Sequence, residues 1–474
     1  MSKIIWLEWE KANFDKAKNE QKPILLDIMA TWCYWCKRLD HDTYDNEEVI
    51  KFVNEKFVPI RVDTDKRPDI NIRYNIGGWP TTTILNIEGE IISGAMYLSP
   101  YQMLSFLENA IKLFKEQNKK IQTEITERKF DNKDLNKLKE DIFNDIKANY
   151  DPYFGGFGFD QKFPFHNILE FLLQLKDNES KEMLIKTLTN MSEGEIFDKE
   201  EYGFYRYATQ KDWSQPHYEK LLDDNSRLIA IYLLAYKLTS IDKFKETAQK
   251  TIDFILNNFL DKEKNYFYAS QDADEAYSKL TLKERKIAKK PNIDKTLFLD
   301  FNCYAINAIF LASEILNNKE YKKIALAALD FLLKNLVNKE GVLHYYDNKY
   351  YPPYLLKNHL ILINSLLNTN QEDYIKKAEE LIKLTMKNFF DQDFFYDIKE
   401  SEDNFGFLKI RKIDPEQNSL AIKVLINLYK KTNKQEYFEL AAKTINSVKD
   451  FIDPNSVFSS SFAEIIERFF KIKI

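Results

Sequence analysis

The chain of 474 residues is 30% charged and 44% hydrophobic, which excludes fibrous and disordered classes and leaves room for two or three domains of ~100 to 200 residues. Only 11 residues are glycine, about 2% against an ordinary ~7%, so a turn-rich sandwich, barrel or propeller is excluded for most of the chain and long helices are expected. A net charge of -5, from 69 basic and 74 acidic residues, offers no basic excess for nucleic acid, and no run reaches the ~18 to 20 apolar residues of a membrane span.

The chain opens on an acidic helix, Glu8 to Asn19, where a secretory leader would need a basic start and an apolar centre, and a cytoplasmic location is expected. A buried-strand run follows, Pro23-Ile-Leu-Leu-Asp-Ile-Met29, then a helix starting at Cys33, a helix near Asn46 to Phe57 and a strand Val58 to Val62. Strands Thr81 to Asn86 and Glu90 to Gly94 turn at Glu88-Gly89, and Ser99 caps a closing helix. This alternation fits a parallel-sheet α/β unit over residues 1–115. Residues 116–135, dense in Lys, Glu, Asn and Gln, suit a solvated helical connector.

Over residues 136–474 helices come in pairs. One member is apolar nearly all round, as in Leu228 to Tyr236, and the next is striped on one face, as in Phe244, Ala248, Ile252 and Ile255. The alternation returns at Asn302 to Leu316 with Tyr321 to Leu336, at Tyr354 to Leu367 with Tyr374 to Phe390, and at Ser419 to Tyr429 with Tyr437 to Val448. Acidic or amide residues ahead of aromatic loops, at Asp151, Asp198, Asp261, Asn338, Asp391 and Asp453, mark six hairpins. The all-round apolar helices need cover on their inner side too, which closing the array into an (α/α)6 toroid supplies. All seven glycines after residue 100 fall outside the helical runs, as expected where a helical glycine costs about 1 kcal/mol.

Cys33 and Cys36 follow the buried strand and open a helix, the context that makes C-x-x-C a redox motif. At that spacing the sulfurs can close a disulfide and reopen it. Cys33, nearest the helix N-terminus, is expected to be the attacking thiolate and Cys36 the resolving thiol, with Asp27 in the adjoining strand holding the proton that Cys36 loses. A structural zinc would need two more ligands, and the remaining Cys303 is remote in an apolar helix, so no metal and no cofactor are expected. Two inert structural thiols are the other reading.

Ile-Leu-Leu-Asp27, Ala30, Trp32-Cys33 and Cys36-Lys37 resemble the thioredoxin pattern, and Gly78-Trp79-Pro80-Thr81 sits where thioredoxins carry their cis-proline loop. Tyr34-Trp35 departs from the usual Gly-Pro. A longer resemblance, to the spermatogenesis-associated protein 20 and YyaL family, covers nearly the whole chain. It is carried by Asp63, Arg67-Pro68-Asp69-Ile70, Gly77-Gly78-Trp79-Pro80, Gly155-Gly156-Phe157-Gly158, Lys162-Phe163-Pro164, Phe204-Tyr205-Arg206-Tyr207, Trp213, Pro216-His217-Tyr218-Glu219-Lys220-Leu221-Leu222 and Gln271-Asp272-Ala273-Asp274. It implies a thioredoxin-like domain fused to a six-hairpin toroid similar to N-acylglucosamine 2-epimerases, with Pro80 shaping a partner groove. Tyr34 and Lys37 replace the histidines usual after each cysteine, Lys357-Asn358 replaces an expected acidic pair, and the toroid's third quarter is short.

Five buried helices carry Asn near their start: Asn167, Asn225, Asn302, Asn358 and Asn418. Parallel inner helices would gather these amides at one open end of the toroid, facing aromatic loops, where they serve either as helix caps or as the wall of a site for a polyhydroxylated ligand. The opposite hairpins, Thr239 to Asp242 and Asn317 to Glu320, are short polar turns expected to build no cavity. At the open end Arg206, Tyr207, Trp213, His217, Glu219, Lys220, Asp223, Asp224, Asp272 and Asp274 form either a ligand site able to support carboxylate chemistry or an ion-paired helix start. The isolated His41, His166, His344 and His359 are expected in core or surface roles. The leading expectation is a thiol-disulfide oxidoreductase acting on a disulfide-bearing protein client or a reductase, with a toroid that binds a carbohydrate-like molecule or the client. A carbohydrate-active enzyme with a regulatory C-x-x-C domain, or a non-catalytic binding module, are the alternatives.

Overall fold

The computed structural model describes residues 3–117, 133–401 and 404–473. They divide into two compact units, Met1–Lys129 with Glu400–Arg411, and Phe130–Lys399 with Lys412–Ile474. Most of the expected connector over 116–135 lies outside the described residues.

In the first unit, α1 (Lys11–Glu20) leads into β1 (Ile24–Met29), buried at every residue but the last. A strand covered on both faces reads as a continuous apolar run, which is why it was legible. α2 (Tyr34–Leu39) continues through a π-helical turn, Asp40–Tyr44. α3 (Glu47–Lys56) starts where the Asn46 side chain accepts from the N–H groups of Glu48 and Val49. The crossover over α2 and α3 sets β2 (Val58–Asp63) parallel to β1, pairing Asp27 with Arg61. After α4 (Pro68–Tyr74), β3 (Thr81–Leu85) runs antiparallel to β1 and β4 (Ile91–Ala95) antiparallel to β3, giving the order β2-β1-β3-β4. The sheet is therefore mixed, where sequence pattern suggested a parallel one. α5 (Pro100–Gln117) closes the unit.

Residues 400–411, grouped with the toroid in the sequence reading, pack inside this first unit. Phe405 stacks on Trp9 at 5.4 Å and meets Phe14 at 4.4 Å. Arg73 donates to the carbonyls of Phe407 (3.0 Å) and Ile410 (2.8 Å). The buried Tyr74 hydroxyl accepts from Phe407 N–H at 2.7 Å and donates to Gly89 O at 2.8 Å. Gly406 adopts φ +56, and an added Cβ would collide with that hydroxyl. Tyr74→Phe leaves both backbone groups unpaired and is expected to cost about 1–3 kcal/mol in urea unfolding.

The second unit is a closed ring of helices. α6 (Leu135–Ala148) precedes α7 (His166–Leu172) and α8 (Asn178–Glu193). α9 (Leu222–Thr239) and α10 (Asp242–Asn258) form the next hairpin, followed by two single turns, α11 (Glu275–Ser278) and α12 (Leu282–Arg285). α13 (Leu299–Ile315) pairs with α14 (Lys319–Leu336), α15 (Leu356–Asn368) with α16 (Glu372–Phe389), and α17 (Pro415–Thr432) with α18 (Gln435–Val448). α19 (Ser460–Lys473) is last. Packed neighbours run α7, α9, α13, α15, α17, α19 and back to α7, so six inner helices close on themselves. The outer partners are α8, α10, α14, α16, α18 and, for α19, α6, which means that the sixth hairpin joins the two ends of this unit.

Four of the six marked loops share one device. The side-chain oxygen of Asp151 accepts from the N–H groups of Tyr153 and Phe154, Asp198 from Glu200 and Glu201, Asp261 from Glu263 and Lys264, and Asn338 from Glu340 and Gly341. Such turns start small hairpins, including Leu260–Asp261 with Tyr266–Phe267 and Val337–Asn338 with Gly341–Val342; Phe390–Asp391 pairs with Phe394–Phe395 in a hairpin of the same size.

Candidate functional site

Cys33 and Cys36 are joined as a disulfide with their Cα atoms 5.3 Å apart. Cys33 is the cap residue of α2, and the Cys36 N–H points at its Sγ at 3.1 Å. An amide donor and a helix N-terminus both favour negative charge on that sulfur. Both cysteines are buried, whereas the intervening Tyr34 and Trp35 are each 46% exposed. Trp32 donates to Asp65 at 2.7 Å and meets Trp79 edge-on, and the Trp79-Pro80 peptide is cis, with Pro80 buried.

Asp27 is buried, with Arg61 Nε donating to Oδ2 at 2.7 Å and the Tyr44 hydroxyl 3.4 Å from Oδ1. Burial pushes its carboxyl up to about 6, although the Arg61 guanidinium pulls the other way. Arg61 also pairs with Asp40 at 2.5 Å and lies over the Trp6 ring at 4.2 Å. This partner was missed in the sequence, where a basic residue amid the apolar Val58-Pro-Ile-Arg61-Val62 was the available signal.

In the second unit, four inner helices open on the same tetrad: Leu222-Asp223-Asp224-Asn225, Leu299-Asp300-Phe301-Asn302, Leu356-Lys357-Asn358-His359 and Pro415-Glu416-Gln417-Asn418. The fourth residue is a clip. Asn225 accepts from Phe204 N–H and donates to Phe204 O and to Leu221 O. Asn302 does the same with Phe267 and Phe298, and Asn418 with Phe395 and Asp414. In α15 the clip is His359, whose Nε2 accepts from Val342 N–H at 3.1 Å while Nδ1 bonds Leu355 O at 2.8 Å. Burial lowers this imidazole to about 4, in keeping with a neutral ring.

The amides of Asn225, Asn302 and Asn418 are thus neither caps nor ligand-facing. Asn225, Asn302 and Asn418 are buried with their hydrogen bonds spent on backbone, and Asn358 lies one residue out of register with them. Asn302→Ala should cost about 2–3 kcal/mol by stranding the buried Phe267 backbone, measured by thermal unfolding, whereas His359→Asn should retain most of the stability that His359→Ala loses.

The second residue of the tetrad faces the axis. Asp223 on α9 interacts with Lys357 on α15, and Arg227 on α9 with Glu416 on α17, although neither pair of helices is adjacent in the ring. Hydrogen bonds from Arg227 to Asn167 and from Asn167 to Glu416 link the N-terminal halves of α9, α7 and α17 in one charged cluster. Arg227 pairs with Glu170 at 3.0 Å and also donates to Asn167, whose amide donates to Glu416 at 3.1 Å. Lys357 pairs with Asp300 at 2.9 Å, Asn358 with His344 at 2.9 Å, and His166 Nε2 lies 3.8 Å from Asp224. The Tyr304 ring carries Arg227 and Lys357 at 5.5 and 5.6 Å. The Lys357 side chain is 39% exposed while that of its partner Asp300 is 6% exposed.

Of the residues expected at this mouth, Arg206, Tyr207, His217, Glu219 and Asp224 come together. Tyr207 is stacked between Phe163 and His217 at 4.4 and 4.5 Å, Arg206 lies over it, and His217 approaches Glu219 at 4.0 Å. Burial lowers the His217 imidazole. Burial and the neighbouring Asp223 charge push Asp224 up to about 8, against Arg206 and Arg227.

The others lie elsewhere. Trp213 is a fully buried core residue that donates to Phe154 O. Lys220 is buried in an ion pair with Asp198 at 2.7 Å, shared with Arg285. Asp274 caps α11, and Asp272 meets Asn292. His166, Arg227, Asp300, Tyr304, Lys357 and Glu416 were not singled out as site residues. The signal that could have found Asp300, Lys357 and Glu416 is the charged second position of otherwise apolar helices. A cleft does lie where α7 and α9 end, lined by Leu173, Gln174, Leu234, Lys237 and Leu238, contrary to expectation for that end.

A carboxyl whose folded value is raised stabilises the fold most below its unfolded value and loses that contribution as pH climbs through the folded one. Asp224→Asn removes the loss, so the variant's melting temperature should gain on the parent's by several degrees as pH rises from about 4 to about 8.

Fold and site together define a thioredoxin-like domain with a C-x-x-C disulfide joined to an (α/α)6 toroid. The sequence family described as "Protein of unknown function, DUF255" matches residues 1–138. An uncharacterized protein of Caenorhabditis elegans is 31% identical over 57% of this chain and 41% of its own, and spermatogenesis-associated protein 20 of Rattus norvegicus is 29% identical over 57% and 39%. Among solved structures, cellobiose 2-epimerase from Bacillus thermoamylovorans matches at TM-score 0.56, 12% identity, 70% of this chain and 99% of that one. The GH76 alpha-mannanase of Bacteroides thetaiotaomicron matches at 0.54, 15%, 73% and 97%. The chain is thus similar to spermatogenesis-associated protein 20 over 57% of its length, and its first 138 residues match the sequence family. It spans about two fifths of the length of these curated relatives. Among the described residues, no helix is long and apolar enough to cross a membrane.

Proposed function

We propose that the protein is a cytoplasmic thiol-disulfide oxidoreductase that exchanges disulfides with a protein client or a reductase, and that its toroid holds a carbohydrate-like ligand or the client. The observation that carries the redox half is the Cys36 N–H aimed at Cys33 Sγ on the first turn of α2. It supports Cys33 as the sulfur that bears charge.

In the reducing direction, the Cys33 thiolate attacks one sulfur of a client disulfide. A Cys33–client bond forms, the client's S–S bond breaks, and the departing client sulfur takes a proton. Cys36 then loses its proton, with Asp27 as the candidate acceptor, and attacks Cys33 Sγ. This releases the second client thiol and leaves the Cys33–Cys36 disulfide. Two electrons pass to the client, and the reverse sequence oxidises a dithiol. Exposed Tyr34 and Trp35 supply an aromatic surface beside the sulfurs for an incoming chain.

The toroid half rests on its fold, similar to that of a cellobiose 2-epimerase and of an alpha-mannanase, and on the axial cluster of Asp223, Asp224, Asp300, Lys357, Arg227 and His166.

Cys36→Ser should accumulate mixed disulfides through Cys33, read by mass spectrometry after alkylation, while Cys33→Ser should trap little. Equal trapping by the two variants, or alkylation of both cysteines in oxidised protein, contradicts the assigned roles.

A further inference from the structure

We infer that the axis of the helical ring takes a neutral, hydroxyl-rich ligand whose hydroxyls donate to Asp300, Asn358 and Asp223, and that it discriminates against phosphorylated or carboxylated counterparts. The inference rests on the proposal that the toroid holds a carbohydrate-like ligand and names the class.

Three buried side-chain oxygens at the axis have no hydrogen-bond partner, namely Asp300 Oδ1, Asn358 Oδ1 and Asp223 Oδ1, and so do Gln417 Oε1 on the neighbouring helix and Glu219 Oε2 in the loop beside it. Asp300 and Asn358 are respectively 4% and 0% exposed. A buried polar atom is stable only when bonded, so these positions demand a partner that lies within the ring. All five are oxygens, and four of them accept in any state of the cluster; Asp223, whose carboxyl burial raises, donates when protonated, and the unpartnered His166 Nε2 either accepts or donates. The demand is therefore for donors, which sugar hydroxyls supply and which phosphate and carboxylate groups at neutral pH lack.

Charge points the same way. Asp300 uses Oδ2 for Lys357. Burial opposes its ionisation, but the Lys357 ammonium holds its carboxyl below the ordinary value, so Oδ1 remains an acceptor. The cations of the ring are already engaged, Lys357 by Asp300 and Arg227 by Glu170 and Asn167. Inner helix N-termini would draw an anion, but Asp223, Asp300 and Glu416 already occupy their first turns. An added anion would meet carboxylates with no uncommitted counter-charge from Lys357 or Arg227. A neutral ring could instead lie near Tyr304, with hydroxyls turned to the acceptors.

The test is calorimetry on the full chain with D-mannose and cellobiose against D-mannose 6-phosphate and D-glucuronate. Binding of a neutral probe about tenfold or more tighter than its charged counterpart supports the inference, as does about tenfold weakening by Asn358→Ala with an unchanged melting temperature. Should Asn358→Ala misfold, Asp223→Ala carries the same comparison. A charged probe that binds as well as or better than its neutral counterpart overturns the neutral class and leaves the ligand-binding toroid standing. Neutral binding untouched by either variant overturns the placement at the axis. Silence from all four probes overturns the ligand reading itself, and the inference with it.

Discussion

The requirement that buried backbone groups be paired shapes the end of the toroid where the inner helices begin. Four hairpin loops that enter the ring each bring a buried residue whose N–H needs a partner, and the fourth residue of the following inner helix supplies it. Asn225, Asn302 and Asn418 do this with both faces of one amide, and His359 with two ring nitrogens. The same side chain bonds the helix's own capping carbonyl. Loop and helix start are thereby fixed to each other, and the second residue of the tetrad is aimed inward as a consequence. Asp223, Asp300, Lys357 and Glu416 form a charged collar because the clip two residues later sets the rotation of their helix.

The first unit solves a similar problem with a charge. Asp27 stands opposite Arg61 on the neighbouring parallel strand, and Arg61 reaches on to Asp40 just after the cysteine helix. The buried carboxyl is thereby linked to the element that carries the disulfide. Its raised value of about 6 leaves it able to gain and lose a proton in the range where thiols exchange.

The fold was legible because its strongest signals are local patterns with a physical cause. The apolar run of β1, the alternation of all-round and striped helices, and the Asx loops at Asp151, Asp198, Asp261 and Asn338 each repeat a physical device. The redox pair was legible from its strand-to-helix context. The mouth of the toroid was not, because asparagine is favoured at caps, at clips and in ligand walls alike. The repeated amide was noticed, but its register was set by counting Asn358 where His359 holds the place. Lys220 and Trp213 misled for a related reason, since a lysine buried against Asp198 and a tryptophan packed on Gly156 and Gly194 look in sequence like polar and aromatic ligand groups. The mixed strand order and the placement of residues 400–411 depend on long-range packing, which no local pattern records.

A crystal structure of the full chain grown with cellobiose tests the account of the toroid most directly. Density for the sugar at the ring's axis, within hydrogen-bond reach of Asp300 Oδ1 and Asn358 Oδ1, is the predicted result. A sugar seated only in the cleft between Leu173, Gln174 and Leu238, with water or an inorganic ion filling the axis, would contradict it.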